Sequence, residues 1–219
     1  MQSKVEGGKG AADTIFTTHK PLILASGSPR RCRYFQDLGL VFTVLTADIA
    51  EIRHADENPN DFVLRMAAEK ASAVMRLHPE SWVVAADTVV ILDGTVLGKP
   101  RDRDDALAML MRLSGREHSV QTGFCIGCLA ENIRIVDSAV TRVCFADFPE
   151  DVARAYVATG EPLDKAGAYG IQGRGAFLVL AVSGSYANVV GLPLNEVITS
   201  LCRYGVLGPA EEGCFRNIG

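Results

Sequence analysis

Leu22-Ile23-Leu24-Ala25-Ser26-Gly27-Ser28-Pro29-Arg30-Arg31 is the stretch from which the rest of the chain is read. Four apolar or small residues run into a hydroxyl-rich turn, and a proline then stands where a helix can begin. Serine suits the position before a helix, and proline suits the first helical position because its missing N–H would have had no partner there. The segment therefore predicts strand, tight turn and helix. The helix runs from Pro29 to Leu38 with Tyr34, Phe35 and Leu38 on one face, and Gly39 stops it. Free N–H groups, two serine hydroxyls and two guanidinium groups gather at one helix N-terminus, which describes an anion site and a phosphate site in particular. Arg30 and Arg31 could be two solvated arginines on a first turn, but the helix dipole disfavours cations there, which favours an anion beside them.

A second stretch, Ser81 to Leu92, is almost unbroken apolar sequence and reads as a central strand buried on both faces. Asp87 and Thr88 interrupt it. A lone carboxylate in such a medium is among the costliest groups a core can hold. A metal ion, a lysine or a role as proton acceptor would each account for Asp87. Asp93-Gly94 then turns the chain, and Thr95 to Pro100 brings Lys99 back towards Asp87. Gly94 to Lys99 is not a P-loop, because the glycine spacing is too short and proline follows the lysine.

Between these stretches Val41 to Ala47 alternates as a second strand and ends on a loop carrying Asp48 and Glu51. A long helix follows from Asp61 to Leu77, with Phe62, Val63, Met66, Ala67, Ala73, Val74 and Leu77 as its apolar stripe. Lys70 lies inside that stripe. Either its ammonium reaches the edge with the stem on the core, or it meets an acid or a ligand phosphate. Downstream, a helix spans Asp102 to Ser114, and strands over Ser119–Ala130 and Ile133–Phe145 form a hairpin offering an oligomer surface. A helix from Pro149 to Ala158 comes next. Glu161 to Gly175 is glycine-rich; it carries Lys165 and also Gln172, whose amide can read a base edge. Ala176 to Val182 reads as a short buried strand, and the last helix turns Val197, Ile198, Leu201 and Cys202 inward.

The 219 residues are 48% hydrophobic, enough for one generous domain or two lobes. The net charge of -4 supplies no global field for a nucleic-acid polymer, while local cations suit a small anion. No apolar run approaches the ~18 residues of a membrane span, and the first twenty lack the apolar core of a signal peptide. Residues 1–20 read as a loose extension, 21–205 as the domain and 206–219 as a weakly structured tail; the cytosol is the expected location. Of six cysteines only Cys125 and Cys128 are paired as C-x-x-C. On a strand they face opposite sides, which fits core thiols better than a metal or redox site.

Leu24 to Arg31, Ala86 to Val90, Leu97 to Pro100, Leu163 to Gly173 and Asn188 to Leu194 together resemble the motifs of the Maf family of nucleoside triphosphate pyrophosphatases, in the same order, from about Pro21 to Tyr204. The resemblance implies an α/β fold with a mixed twisted sheet in two lobes, flanking helices and a central cleft, similar to the inosine triphosphate pyrophosphatases. It also implies a homodimer and hydrolysis of a nucleoside triphosphate to monophosphate and pyrophosphate with Mg²⁺ or Mn²⁺. The family's general base falls on Asp87, its phosphate-binding hydroxyl and arginine on Ser26 and Arg31, and further polar site groups on Glu51, Lys70, Lys99 and Lys165. Asp87 and Glu51 are the implied metal ligands, although Ala50-Glu51 stands where the family commonly carries an acidic pair. Arg30, Thr88 and Gln172 match the branch that takes dTTP and UTP rather than 7-methyl-GTP. A nucleotide sensor acting in septum formation is the rival account; it needs the cations but not a poised carboxylate.

Overall fold

Trp82–Leu92 forms the spine of a mixed sheet, as its apolar run predicts. The computed structural model describes residues 14–210 and the backbone of 3–5. In chain order the elements are β1 (Ser3–Val5), β2 (Phe16–Thr18), β3 (Leu22–Leu24), α1 (Pro29–Asp37), β4 (Phe42–Val44), α2 (Pro59–Leu77), β5 (Trp82–Leu92) and β6 (Thr95–Leu97). They continue with α3 (Arg103–Leu113), β7 (Glu117–Cys128), β8 (Ile133–Phe145), α4 (Glu150–Ala158), β9 (Val179–Ser183), α5 (Tyr186–Val190), α6 (Leu194–Arg203) and β10 (Leu207–Pro209). Three 3-10 turns lie between α4 and β9.

The large sheet has the order β1-β4-β3-β5-β7-β8-β9, with β6 also paired to β5. Only β3 runs parallel to its neighbours β4 and β5; every other pairing is antiparallel. One detail of register makes the site. On one edge β5 pairs β3 through Trp82–Val84 and then β6 through Val90–Leu92, so the intervening residues have no strand beside them there. Their other edge is continuously paired to β7, with Asp87 opposite Gly123. The sheet therefore has a gap in it, and Asp87 sits at the gap.

Side-chain alternation sends Val83, Ala85, Asp87 and Val89 to the face covered by α2, whose Ala67, Ala71, Val74 and Met75 pack against Val83 and Ala85. The opposite residues Trp82, Val84 and Ala86 join a cluster with Phe35 of α1 and Val197 and Leu201 of α6. Beyond the gap, Val90 and Leu92 belong to a second cluster with α3, α4 and the ends of β7 and β8. Two cores strung along one strand give the lobes that the resemblance implies. The approach of α2 to β7 is close: a Cβ on Gly123 would lie 2.4 Å from the Val63 carbonyl oxygen.

Several expectations need correcting. The strand near residue 179 is not buried: Val179–Ser183 pairs only the end of β8, and Leu180 is 70% exposed. Its apolar run reflects an edge position, not a core one. Leu77 and Cys202, read as inward, are exposed because they lie off the buried helix face, which Ala71, Val74 and Met75 fill on α2 and Val197 and Leu201 on α6. Val206 and Leu207, placed in a tail, are buried, and β10 pairs β2 from the supposed loose extension. The rest of that extension and tail, residues 1–2, 6–13 and 211–219, lies outside the described residues. Cys125 and Cys128 do fall on opposite faces, in separate clusters. Among the described residues no helix is long and apolar enough to cross a membrane.

Candidate active site

The gap opens into a cleft of about 1100 Å³ between the lobes. All ten residues singled out in the sequence line it: Ser26, Arg30 and Arg31 from the first turn, Glu51, Lys70, Asp87, Thr88 and Lys99 from the middle of the chain, and Lys165 and Gln172 from the glycine-rich loop.

At its floor Asp87 is 7% exposed, and its Oδ1 accepts from Lys70 Nζ at 2.6 Å. The same ammonium donates to Glu51 Oε1 at 2.5 Å. Of the two readings of Lys70, the structure selects the acid partner. Helix geometry explains why: Lys70 stands one turn from Ala67, on the α2 face that covers Asp87. Partial burial alone would raise the Glu51 carboxyl. The hydrogen bond and charge of Lys70, with the charges of Lys99 and Arg31, outweigh it and hold Glu51 below the usual carboxylate range. Two cations with no contact to Glu51 thus still act on it, which is convergence in electrostatic terms.

Arg31 is placed differently from a surface phosphate ligand. Its Nε donates to the Gly191 carbonyl at 2.6 Å, Nη1 to Ser26 Oγ at 3.1 Å and to the Ala86 carbonyl at 2.9 Å, and Nη2 to Thr88 Oγ1 at 3.0 Å. Four of its five N–H donors are committed to the protein. The Ala86 carbonyl is the acceptor that the missing strand leaves unpaired, so the guanidinium closes the sheet where β3 stops. Burial lowers Arg31 to about 10, with Asp87 and Glu51 opposing that fall and Arg30 adding to it. It is still a cation at neutral pH. Thr88 continues the network: its hydroxyl lies 2.9 Å from that of Thr122, which donates to the Asn188 carbonyl at 3.2 Å.

Ser28 does begin α1, yet its side chain makes no capping bond; its own N–H donates to Ser26 Oγ at 3.2 Å. The first turn therefore faces the cleft without a side-chain cap. From the other lobe, Asp164 reaches both Arg30 Nη1 at 3.6 Å and Lys165 Nζ at 2.6 Å. Lys165 Nζ also donates to the Glu161 carbonyl. Lys99 and Gln172 are exposed, and neither makes a side-chain hydrogen bond or ion pair among the described residues.

Three groups escaped the sequence reading. Arg53 lines the cleft beside Glu51, and Asp164 bridges two cations. Glu161 accepts from Tyr156 Oη at 2.9 Å and from the Arg174 and Gly175 N–H groups at 3.0 and 3.2 Å, pinning the glycine-rich loop. Further anchors of the loop are Tyr169, whose hydroxyl lies 2.8 Å from His118 Nε2 in the second core, and the Gly167 N–H, which donates to the Gly98 carbonyl at 3.0 Å. An acid or arginine on a loop looks the same in sequence whether solvated or bonded, so only Glu161, ahead of a glycine run, carried a faint signal.

A family described as Maf-like protein matches residues 21–204. Over 193 residues the chain is 55% identical to a protein of Desulfotalea psychrophila named dTTP/UTP pyrophosphatase, covering 88% of this chain and 99% of that one. Proteins of the same name from Nitratidesulfovibrio vulgaris and Myxococcus xanthus are 52% and 50% identical, with 91% and 93% of their lengths covered. With the cleft, the gapped strand and the matched span in hand, the chain belongs to the Maf-like protein family.

Proposed function

We propose that the chain is a cytoplasmic enzyme that hydrolyses dTTP and UTP to the nucleoside monophosphate and pyrophosphate. The observation that carries this is the buried Asp87 carboxylate at the sheet gap, bonded to Lys70 and ringed by cations from four separate segments. The names of relatives covering nearly the whole domain support the same reading.

In this reading the α1 first turn and Arg30 hold the phosphate chain, with Lys99 and Lys165 at its far end. Water attacks the α-phosphorus, the bond from that phosphorus to the bridging oxygen of the leaving pyrophosphate breaks, and one proton passes to the Asp87 oxygen not held by Lys70. Lys70, Lys99 and Lys165 offset the charge that gathers on the departing group. Glu51 and Asp87 fit a hard divalent cation: both are carboxylates, and among the described residues no third acid, histidine or cysteine gathers with them. Magnesium typically takes one or two carboxylates and completes its shell with water and substrate phosphate. When bound, Mg²⁺ or Mn²⁺ would supply charge neutralisation at the phosphate. In this reading Gln172, an exposed residue of the cleft lining, reads the base, and Arg30, Thr88 and Gln172 support the dTTP/UTP branch through the family resemblance. Homodimerisation through the β7–β8 hairpin is supported by the exposed Val136 and Val140 on the part of β8 that β9 does not cover.

The test is pyrophosphate release from each canonical triphosphate with Mg²⁺. dTTP and UTP are expected to lead the panel, and Asp87→Asn to lower turnover by ~10² to 10⁴ while nucleotide still binds. Binding of dTTP without turnover by the wild type would return the sensor account. Near-normal turnover in Asp87→Asn would remove Asp87 from the mechanism.

A further inference from the structure

Arg30 stands on α1 in one lobe, and Lys165 follows the 3-10 turn Glu161–Asp164 in the other. Between them lies one carboxylate. Asp164 Oδ1 is 2.6 Å from Lys165 Nζ, and Asp164 Oδ2 is 3.6 Å from Arg30 Nη1. Of the other cations of the cleft, Lys70 is matched by Glu51 and Asp87 and Arg31 is bonded to neutral acceptors, while Lys99 has no ion pair among the described residues. Asp164 is therefore the one carboxylate that touches either Arg30 or Lys165 among the described residues, Lys165 being held as well by the Glu161 backbone carbonyl. Its side chain is 65% exposed, whereas that of Lys165 is 12% exposed. The acid can swing away more easily than the lysine can. Burial would raise its carboxyl, and the Lys165 hydrogen bond and the charges of Lys165 and Arg30 outweigh that and lower it, so it is an anion at neutral pH.

We propose that Asp164 is an internal anion that occupies Arg30 and Lys165 across the nucleotide-free cleft, competes with phosphate groups for them, and so hastens the departure of pyrophosphate. This rests on the reading of the cleft as a triphosphate site. The physical point is a symmetrical cost: every anion that takes these cations must first displace the same carboxylate. Such a cost weakens substrate and product alike and leaves the bond-breaking step untouched. An enzyme limited by product release gains from it. A carboxylate serving only to shape the loop would have the opposite signature, because its loss would disorder Lys165 and weaken phosphate binding.

The experiment titrates inorganic pyrophosphate, followed by calorimetry, into the wild type and into Asp164→Asn, which keeps shape and loses charge. Two partly exposed pairs are worth a modest factor, so Asp164→Asn is expected to bind pyrophosphate about threefold to tenfold more tightly at low salt. The difference should shrink as salt screens the exposed pairs. KM for dTTP should fall in step, pyrophosphate should inhibit more strongly, and Asp164→Glu should restore the wild-type constants. Should Asp164→Asn fail to fold, Asp164→Ser carries the same expectation. Unchanged or weaker pyrophosphate binding in the neutral variants overturns the proposal. The two readings fail separately: a wild type that turns over no triphosphate sinks the enzymatic account, while the pyrophosphate titration still reports on Asp164.

Discussion

Replacing Lys70 by methionine tests the centre of the site most directly, because one nitrogen holds two carboxylates. The side chains of Lys70 and Asp87 are 13% and 11% exposed, and that of Glu51 is 44% exposed. Removing one partner of a buried pair costs about 3–5 kcal/mol, chiefly through the charge left behind. Asp87 bears that cost in full, while Glu51 is open enough that solvent screens most of its share. The two carboxylates also lose the cation between them. Both touch the same nitrogen, so they stand about 5 Å apart at most, and at an effective dielectric of ~20 their repulsion is about 3 kcal/mol until Glu51 swings outward. A net loss of about 3 kcal/mol is expected, which lowers Tm by roughly 6–12 °C in a domain of this size. Mg²⁺ should then act differently on the two proteins. With no ammonium in competition, the paired carboxylates bind it better, and at about ten times Kd it returns ~1.4 kcal/mol. Thermal unfolding at neutral pH, with and without Mg²⁺ against an ionic-strength control, measures both effects. A Lys70→Met protein that melts with the wild type, or gains no more from Mg²⁺ than the wild type does, would refute the reasoning.

Burial lowers His118 to about 4, so it is neutral in the fold when an unfolded histidine, near 6.5, is already protonated. The unfolded state then binds the extra proton, and stability should fall by up to about 3 kcal/mol as pH drops from 6.5 to 4; Phe in place of His118 should flatten that limb of the pH–stability curve. Gly123→Ala drives a Cβ into the Val63 carbonyl and lifts α2, the helix that carries Lys70, so urea unfolding should show a loss of about 3 kcal/mol or more. Arg65 clasps Glu57 at 2.6 and 2.7 Å and donates to the Ile52 carbonyl at 3.0 Å, which fixes the loop behind Glu51. Arg65→Lys loses that fork, and the Mg²⁺ concentration for half-maximal pyrophosphate release should rise about tenfold while turnover at saturating Mg²⁺ holds.

What the sequence disclosed about the site was the anomalies. A carboxylate inside an apolar strand and a lysine inside an apolar stripe each contradict their surroundings, and the structure joins these two at 2.6 Å. Polar groups on loops contradict nothing, so Arg53 and Asp164 were silent. The internal role of Arg31 was hidden for another reason: two of its acceptors are the carbonyls of Ala86 and Gly191, which any residue at those positions would supply. Strand existence followed from apolar runs, but burial did not. Val179–Ser183 and Trp82–Leu92 are both rich in valine and leucine, and only pairing partners distinguish an edge from a centre.

The gap beside Asp87 explains why cations open to the cleft and structural cations occur together. Between Val84, whose carbonyl accepts from Ala25 N–H, and Val90, paired to β6, the backbone of β5 has lost the neighbour that would satisfy it. A buried carbonyl without a partner is costly, and a bulky loop filling the space would leave no cleft. Arg31 resolves this by closing the Ala86 carbonyl from below and fixing Ser26 and Thr88 on either side. Its charge then adds to the field that holds Glu51 ionised. One guanidinium therefore completes the sheet and makes the opening electropositive. Under the proposed function its loss should harm folding and phosphate binding together, whereas loss of Lys99, exposed and without an ion pair among the described residues, should weaken phosphate binding alone.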